Sequence, residues 1–366
     1  MKITIKRQEL LPVLQTVNGV VERRQTLPIL SNLLLGVSPD RLTLTASDME
    51  VELVASVDST WKDTGDITLP ARKLLDICRA LPEGAEISLE TSGDRVNVAS
   101  GKSRFTLSTL PAQEYPLVDM AEALVEFSLP QKTLKQLLER TAFAMAHQDV
   151  RYYLNGLLLE LDGSNLRAVA TDGHRLALCD TAHEIDLKEP LQIIVPRKGV
   201  QELIRLLEET DEEVSIRIST NHIQVRIDGL QFTSKLIDGK FPDYARVIPE
   251  TGKHPVIADR GGLHQSLSRV SILSNEKYRG VRLLLDTGRL RAIAHNPEQE
   301  EAEEELEVEY GGPEMEIGFN VSYLLDALNI IKTNKVFVTI NDPSSSCLLL
   351  PENSAECKYV VMPMRL

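Results

Sequence analysis

The residues best placed to do chemistry are Asp172, His174 and Arg175, in the segment ThrAspGlyHisArgLeu that starts at Thr171. A carboxylate, an imidazole and a guanidinium so close together could share a proton and hold an anion, as an acid/base enzyme requires. Asp-Gly is also a strong turn signal. The turn is the better reading, because the counterparts of Asp172 elsewhere in the chain, Asp48 and Asn296, lack a histidine two residues on, where Glu50 and Glu298 stand. Gly101, Lys102 and Ser103 look like the end of a phosphate loop, which needs glycine backbone at both ends to cradle phosphate. The position that must supply the first glycine is Val96, so no nucleotide site is expected there. The run from Glu298 to Glu309 holds eight glutamates. Hard cations need oxygen ligands converging from a shaped loop. This run has the spacing of a strand or helix surface and is read as a solvated face or a partner for a basic patch. The four cysteines, Cys78, Cys179, Cys347 and Cys357, include no C-x-x-C pair. In so long a chain they argue against both a disulfide framework and a zinc site, and are expected to be buried or surface thiols. With H-E-x-x-H, G-x-S-x-G and G-x-G-x-x-G also absent, no catalytic residue, metal or cofactor is expected.

The elements that must position these residues repeat. LeuThrLeuThrAlaSerAsp from Leu42, LeuArgAlaValAlaThrAsp from Leu166 and LeuArgAlaIleAlaHisAsn from Leu290 are 124 residues apart each time. Apolar strands starting at Leu33, Leu157 and Val281 precede them at the same spacing. Helical patterns, with apolar residues three and four apart, run over Gln8 to Val17, Leu134 to Met145 and Leu263 to Leu273. After each pair comes a strand feeding a second helix, from Ile67, Ile193 and Glu316, and then further alternating strands. The chain therefore reads as three copies of one α+β module, over residues 1–121, 122–246 and 247–366. Each module must pack the apolar faces of two helices onto an antiparallel sheet. The period is too long for a solenoid and marks a triplicated domain.

Composition narrows the class. At 366 residues, 42% hydrophobic and 26% charged, the chain is neither disordered nor low-complexity. No apolar run is long enough to span a membrane. The N-terminal alternation reads as the start of a mature strand and helix, so a cytoplasmic protein is expected. Forty lysines and arginines against 54 acidic residues leave a net charge of −14. Taken as a sum, that opposes nucleic-acid binding, but binding depends on distribution, and an acidic body can carry a basic face.

Several long strings then carry a resemblance: ThrLeuProIleLeuSerAsn from Thr26, AlaHisGlnAspValArgTyrTyrLeuAsnGly from Ala146, AlaThrAspGlyHisArgLeuAla from Ala170, PheProAspTyr from Phe241, SerIleLeuSerAsnGluLys from Ser271, AsnProGluGlnGluGluAlaGluGlu from Asn296 and TyrValValMetProMetArgLeu at the end. Along essentially its whole length the sequence resembles the bacterial DNA polymerase III beta subunits, the replicative sliding clamps. The resemblance implies three DNA-clamp modules per chain and two chains head to tail in a ring around duplex DNA. The helices would line the hole, with the sheets outside. Modest Lys/Arg enrichment inside such a ring is compatible with an acidic exterior, and weak, sequence-blind phosphate contacts permit sliding. Lys132, Lys135 and Arg197 are further candidates for that inner face.

The resemblance also implies residue roles. Arg24, Arg72, Gln148, Tyr152, Tyr153 and Lys198 match positions that touch DNA in the family. Phe105 and Leu107 of one chain would meet Ile272 and Leu273 of the other. Around them Lys73, Arg95, Lys102 and Arg104 would face Glu298, Glu300, Glu301 and Glu304, with Lys102 standing where relatives often have arginine. A docking pocket for short peptides would be lined by Arg151, Tyr153, Leu154, Thr171, Gly173, His174, Arg175, Leu176, Pro242, Arg246 and Val247, and by Asn320, Tyr323, Ser345, Val360, Met362, Pro363, Met364 and Arg365 toward the C-terminus. The implied partners are double-stranded DNA, a second copy of the chain, the polymerase III catalytic subunit, the clamp loader, and other DNA polymerases and repair proteins.

Overall fold

The computed structural model describes residues 1–21, 27–252, 254–354 and 356–365. Its helices are α1 (Arg7–Val17), α2 (Ala71–Ala80), α3 (Gln131–Ala142), α4 (Arg197–Leu206), α5 (Arg260–Val270) and α6 (Val321–Ile330), set among antiparallel strands, as the α+β expectation requires. Each forms because one stripe is apolar. In α2 the buried residues are Ala71, Leu74, Leu75 and Cys78, the three-and-four spacing of a single helical face. Side-chain caps start α5 and α6: Gly262 N–H donates to Asp259 (2.6 Å) and Ser322 N–H to Asn320 (2.9 Å).

The chain divides into two compact units. The first comprises Met1–Lys135 with Lys198–Leu236, and the second Gln136–Arg197 with Ile237–Leu366. Each unit holds one eight-stranded and one four-stranded sheet. In the first unit the long sheet runs Gly65–Pro70, Asn32–Val37, Arg41–Ser47, Val51–Asp58, Leu230–Lys235, His222–Ile227, Glu213–Ile218, Val125–Pro130. In the second it runs Leu191–Pro196, Gly156–Leu161, Asn165–Thr171, Arg175–Ala182, Cys357–Val361, Cys347–Pro351, Lys335–Thr339, Val256–Asp259. The middle third of the chain thus gives four strands to each long sheet.

Both long sheets are joined at one kind of seam. The fourth strand of one repeat, Val51–Asp58 or Arg175–Ala182, pairs with the last strand of the next, Leu230–Lys235 or Cys357–Val361. By this rule the first repeat has an unmatched last strand, Ser103–Ser108, and the third an unmatched fourth strand, Glu301–Glu307. Each is one of the two outer strands of its unit's four-stranded sheet.

A buried carboxylate lies under the first unit's loops. Glu52 is buried, and its side chain accepts from Val118 N–H (2.9 Å). Burial pushes its pKa up, against the opposing effect of that hydrogen bond. A raised folded-state pKa means the native protein keeps a proton that the unfolded chain has lost, so stability falls as pH rises through the window above 4.5. Glu52→Gln preserves an acceptor and removes the charge. Its Tm is expected to exceed the parent's at about pH 8, with the gap closing near about pH 4; an unchanged gap across a calorimetric pH series would contradict this.

Two expectations need correction. Cys179 and Cys357 are not thiols but a disulfide. Strand pairing sets them face to face although 178 residues separate them in sequence, a relation that spacing rules cannot see. Cys78 and Cys347 are buried thiols as expected, and burial pushes Cys78 up to about 11 and Cys347 higher. The second correction is to the helical patterns over Leu134 to Met145, where α3 ends at Ala142, and over Leu263 to Leu273. In the latter the α-helix ends at Val270, and Ser271–Leu273 tighten into a 3-10 turn, which turns Ile272 outward to 75% exposure.

Candidate functional site

The second unit contains an apolar cavity of about 180 Å³ lined by Arg151, Tyr153, Leu154, Thr171, Gly173, Arg175, Leu176, Pro242, Tyr244, Val247, Val360 and Met362. The seam builds its floor: Leu176 and Val360 face each other across the paired strands. One wall is the turn after Thr171. Asp172 Oδ1 accepts the N–H groups of His174 (2.9 Å) and Arg175 (3.0 Å), and Thr171 Oγ1 accepts from Gly173 N–H (3.1 Å). Gly173 has φ +88°, and a Cβ there would lie 2.9 Å from the Arg151 guanidinium, so only glycine fits without displacement. Arg151 grips Asp149 with two bonds (3.0 and 2.9 Å) and donates to Asp172 O (3.1 Å). These bonds hold the Asp149 carboxyl down to about 2.

Arg175 is fully engaged beneath this wall. It donates to Asp172 (3.1 Å), to Asp326 and to Phe143 O (2.8 Å), and its guanidinium lies 4.6 Å from the Tyr323 ring centroid. Asp172 and Arg175 are thus spent on a turn and an ion pair, which removes the support for an acid/base set. His174 stacks on Tyr323. Sequence reasoning missed Tyr244 as a lining residue, although it ends the PheProAspTyr string. Its hydroxyl donates to Glu160 and accepts from Arg167 (3.1 Å); burial, and then the bond to Glu160, push it up to about 12.

The C-terminal tail is held at two points, Met362 N–H to His174 O (2.8 Å) and Met364 N–H to Gly318 O (2.9 Å). Met364 and Arg365 line a neighbouring depression with Asn275, Tyr278 and Pro297, rather than the cavity itself. Among the other residues expected at the pocket, Asn320 caps α6. Ser345 accepts from two backbone N–H groups in its own loop. Arg246 is exposed and paired with Asp243 (2.6 Å). Pro363 is half-buried.

The two unmatched edges carry opposite charge. Arg95, Lys102 and Arg104 are exposed at or beside Ser103–Ser108, and Lys73 is exposed on α2. Phe105 is 37% exposed, whereas Leu107 is buried in its own unit at 7%. On the opposite edge Glu298, Glu300 and Glu301 are exposed. Glu300 is tied to Asn296 (2.6 Å). Glu304 points the other way, to α5, where Arg269 holds it by two bonds of 2.7 Å. Its alternation with Glu303 and Glu305 along the strand was the signal for that opposite face.

Comparison with known proteins decides the family. Models of the N-terminal, central and C-terminal domains of the DNA polymerase III beta subunit match residues 1–119, 128–243 and 245–365. The beta sliding clamps of Pseudomonas aeruginosa and Escherichia coli are 54% and 52% identical to this chain, each covered in full, as is the chain. The chain belongs to the DNA polymerase III beta subunit family. A crystal structure of that subunit from Pseudomonas aeruginosa superimposes with a TM-score of 0.98 at 53% identity, both chains covered in full. A clamp of the same species bound to griselimycin gives 0.95 at 54%, again with full coverage of both chains. The fold and the activity are those of a sliding clamp. Of the positions expected to touch DNA, Arg24 lies outside the described residues. Arg72 donates to Val21 O (3.0 Å), and Lys198 is paired with Asp48. Gln148 has φ 56° on an exposed loop, next to a Val150 that is 96% exposed. Tyr152 is exposed and meets Tyr153 edge-on at 5.8 Å.

Proposed function

We propose that two copies of this chain, each built of modules 1–121, 122–246 and 247–366, close head to tail into a ring around duplex DNA and tether the replicative polymerase to it. The observation that carries this reading is the seam rule: after two seams within the chain, the acidic edge Glu301–Glu307 and the basic-flanked edge Ser103–Ser108 are the pair left over. Edge strands carry backbone groups ready to extend a sheet, and the opposite charges favour this pairing over a like-with-like one. The apolar cavity docks peptides of the polymerase catalytic subunit, the clamp loader, and other polymerases and repair proteins. The protein acts in the cytoplasm and by topology, without turnover. The test is retention on nicked circular DNA and release once the circle is cut. Equal retention on linear DNA would remove the ring. Hydrolysis lost on His174→Ala would instead favour an enzyme.

DNA contact falls to Arg24, Arg72, Gln148, Tyr152, Tyr153 and Lys198, with Lys198 reaching phosphate only by leaving Asp48. Arg24→Ala with Gln148→Ala is expected to weaken direct DNA binding and to lower the slope of log K against log salt by about one, for the single cation removed. The dimer should persist. An unchanged salt series would take both residues off the contact surface.

A further inference from the structure

The seam that floors the cavity also carries the disulfide. Cys179 and Cys357 are its last paired residues, with Cα atoms 4.1 Å apart. Further along the same two strands come Leu176 with Val360, then Arg175 with Val361, and Met362 follows at the cavity wall. The bond therefore clamps one end of the C-terminal strand whose other end shapes the pocket.

We propose that Cys179–Cys357 is an exchangeable redox staple that holds the C-terminal strand in place and so sets the affinity of the pocket for peptide. The second half of this rests on the docking role given to the cavity above. Three features support it. Disulfides in cytoplasmic proteins are characteristically transient or redox-sensing, and the cytoplasm is where this protein is expected to act. Cys357 is the first residue of its strand, so fraying of that end exposes the buried sulfurs without opening the pairs nearer the pocket. Arg140 Nη1 lies 4.0 Å from Cys357 Sγ, and a cation there stabilises a departing thiolate.

The exchange balances with a small thiol such as glutathione. Its thiolate attacks Cys179 Sγ, forming a mixed disulfide and expelling the Cys357 thiolate. A second glutathione thiolate attacks the glutathione sulfur of that mixed disulfide, releasing the Cys179 thiolate and glutathione disulfide. Two electrons pass to the protein, and both cysteines take up protons. Glutathione disulfide drives the reverse. The strand's hydrogen bonds to its neighbours survive reduction, so the fold persists while the strand loses its tether.

The full-length protein, equilibrated in buffers of graded glutathione to glutathione disulfide ratio, is quenched in acid, denatured, alkylated and weighed. Two alkyl adducts, at Cys78 and Cys347, are expected in oxidising buffer and four in reducing buffer. In parallel, a fluorescent polymerase tail peptide with two large apolar residues is titrated by anisotropy. Its Kd should be weaker in the reduced protein by about threefold or more, since a loosened wall must be ordered on binding. Cys357→Ser should match the reduced protein in both buffers. A constant adduct count across the series overturns the staple. A changing count with one Kd overturns its coupling to the pocket. Peptide bound in neither state would strike the docking role and with it the coupling, while the adduct count would still decide the exchange.

Discussion

Replacing Ile272 and Leu273 together with alanine is expected to yield a folded monomer. Ile272 stands 75% exposed on a 3-10 turn beyond α5, where its own chain gains little from it. On the edge proposed to meet it Phe105 is the exposed apolar residue, so the apolar centre expected for the ring contact is these few side chains. Truncating the pair should remove roughly 2 kcal/mol or more at each contact site, and a two-chain ring has both sites. Surrounding charge pairs at about 0 to 1 kcal/mol each cannot make that up. Folding should survive because α5 keeps its Asp259 cap and its buried Leu263, Leu267 and Val270. Sedimentation equilibrium at low micromolar protein checks the result; an intact dimer would sink this account of the interface.

Deleting Met364 to Leu366 is expected to abolish binding of partner peptides. Met362 is a wall of the cavity, and the tail that carries it is pinned at His174 and again at Gly318 through Met364. Removing the second anchor frees Met362 and Pro363 to move, and strips Met364 and Arg365 from the adjoining depression. Because a few buried side chains dominate such contacts, the loss should reach about 30-fold or more. The strand Cys357–Val361 stays paired on both sides, so folding, dimerisation and DNA encirclement should be unaffected while polymerase stimulation disappears. Native affinity of the truncated protein for a polymerase tail peptide, by anisotropy, would place docking elsewhere.

Much of this was legible in residue order. The Leu42, Leu166 and Leu290 segments became equivalent strands, Arg41–Ser47, Asn165–Thr171 and Arg289–His295, because the same alternation of apolar residues imposes the same buried face. Asp172 sits in the turn that Asp-Gly predicts, since a carboxylate two and three residues ahead of free N–H groups caps them locally. Of the pocket, the cavity does bring together residues as far apart as Leu154, Pro242 and Val360, but only family resemblance had gathered them. Nothing local relates a loop, a turn and a terminal strand.

The sequence by itself determined the triplicated α+β plan, the helix stripes, the turns and the opposite charge of two distant segments, because each follows from periodicity or contact between near neighbours in the chain. Tertiary structure alone decided that Cys179 meets Cys357, that Glu304 turns inward to Arg269, that Leu107 is already buried while Phe105 is not, and that Lys198 is held by Asp48. Each of these depends on which strand lies beside which and in what register. Register is set by the summed packing of whole faces rather than by the residues that it happens to bring together.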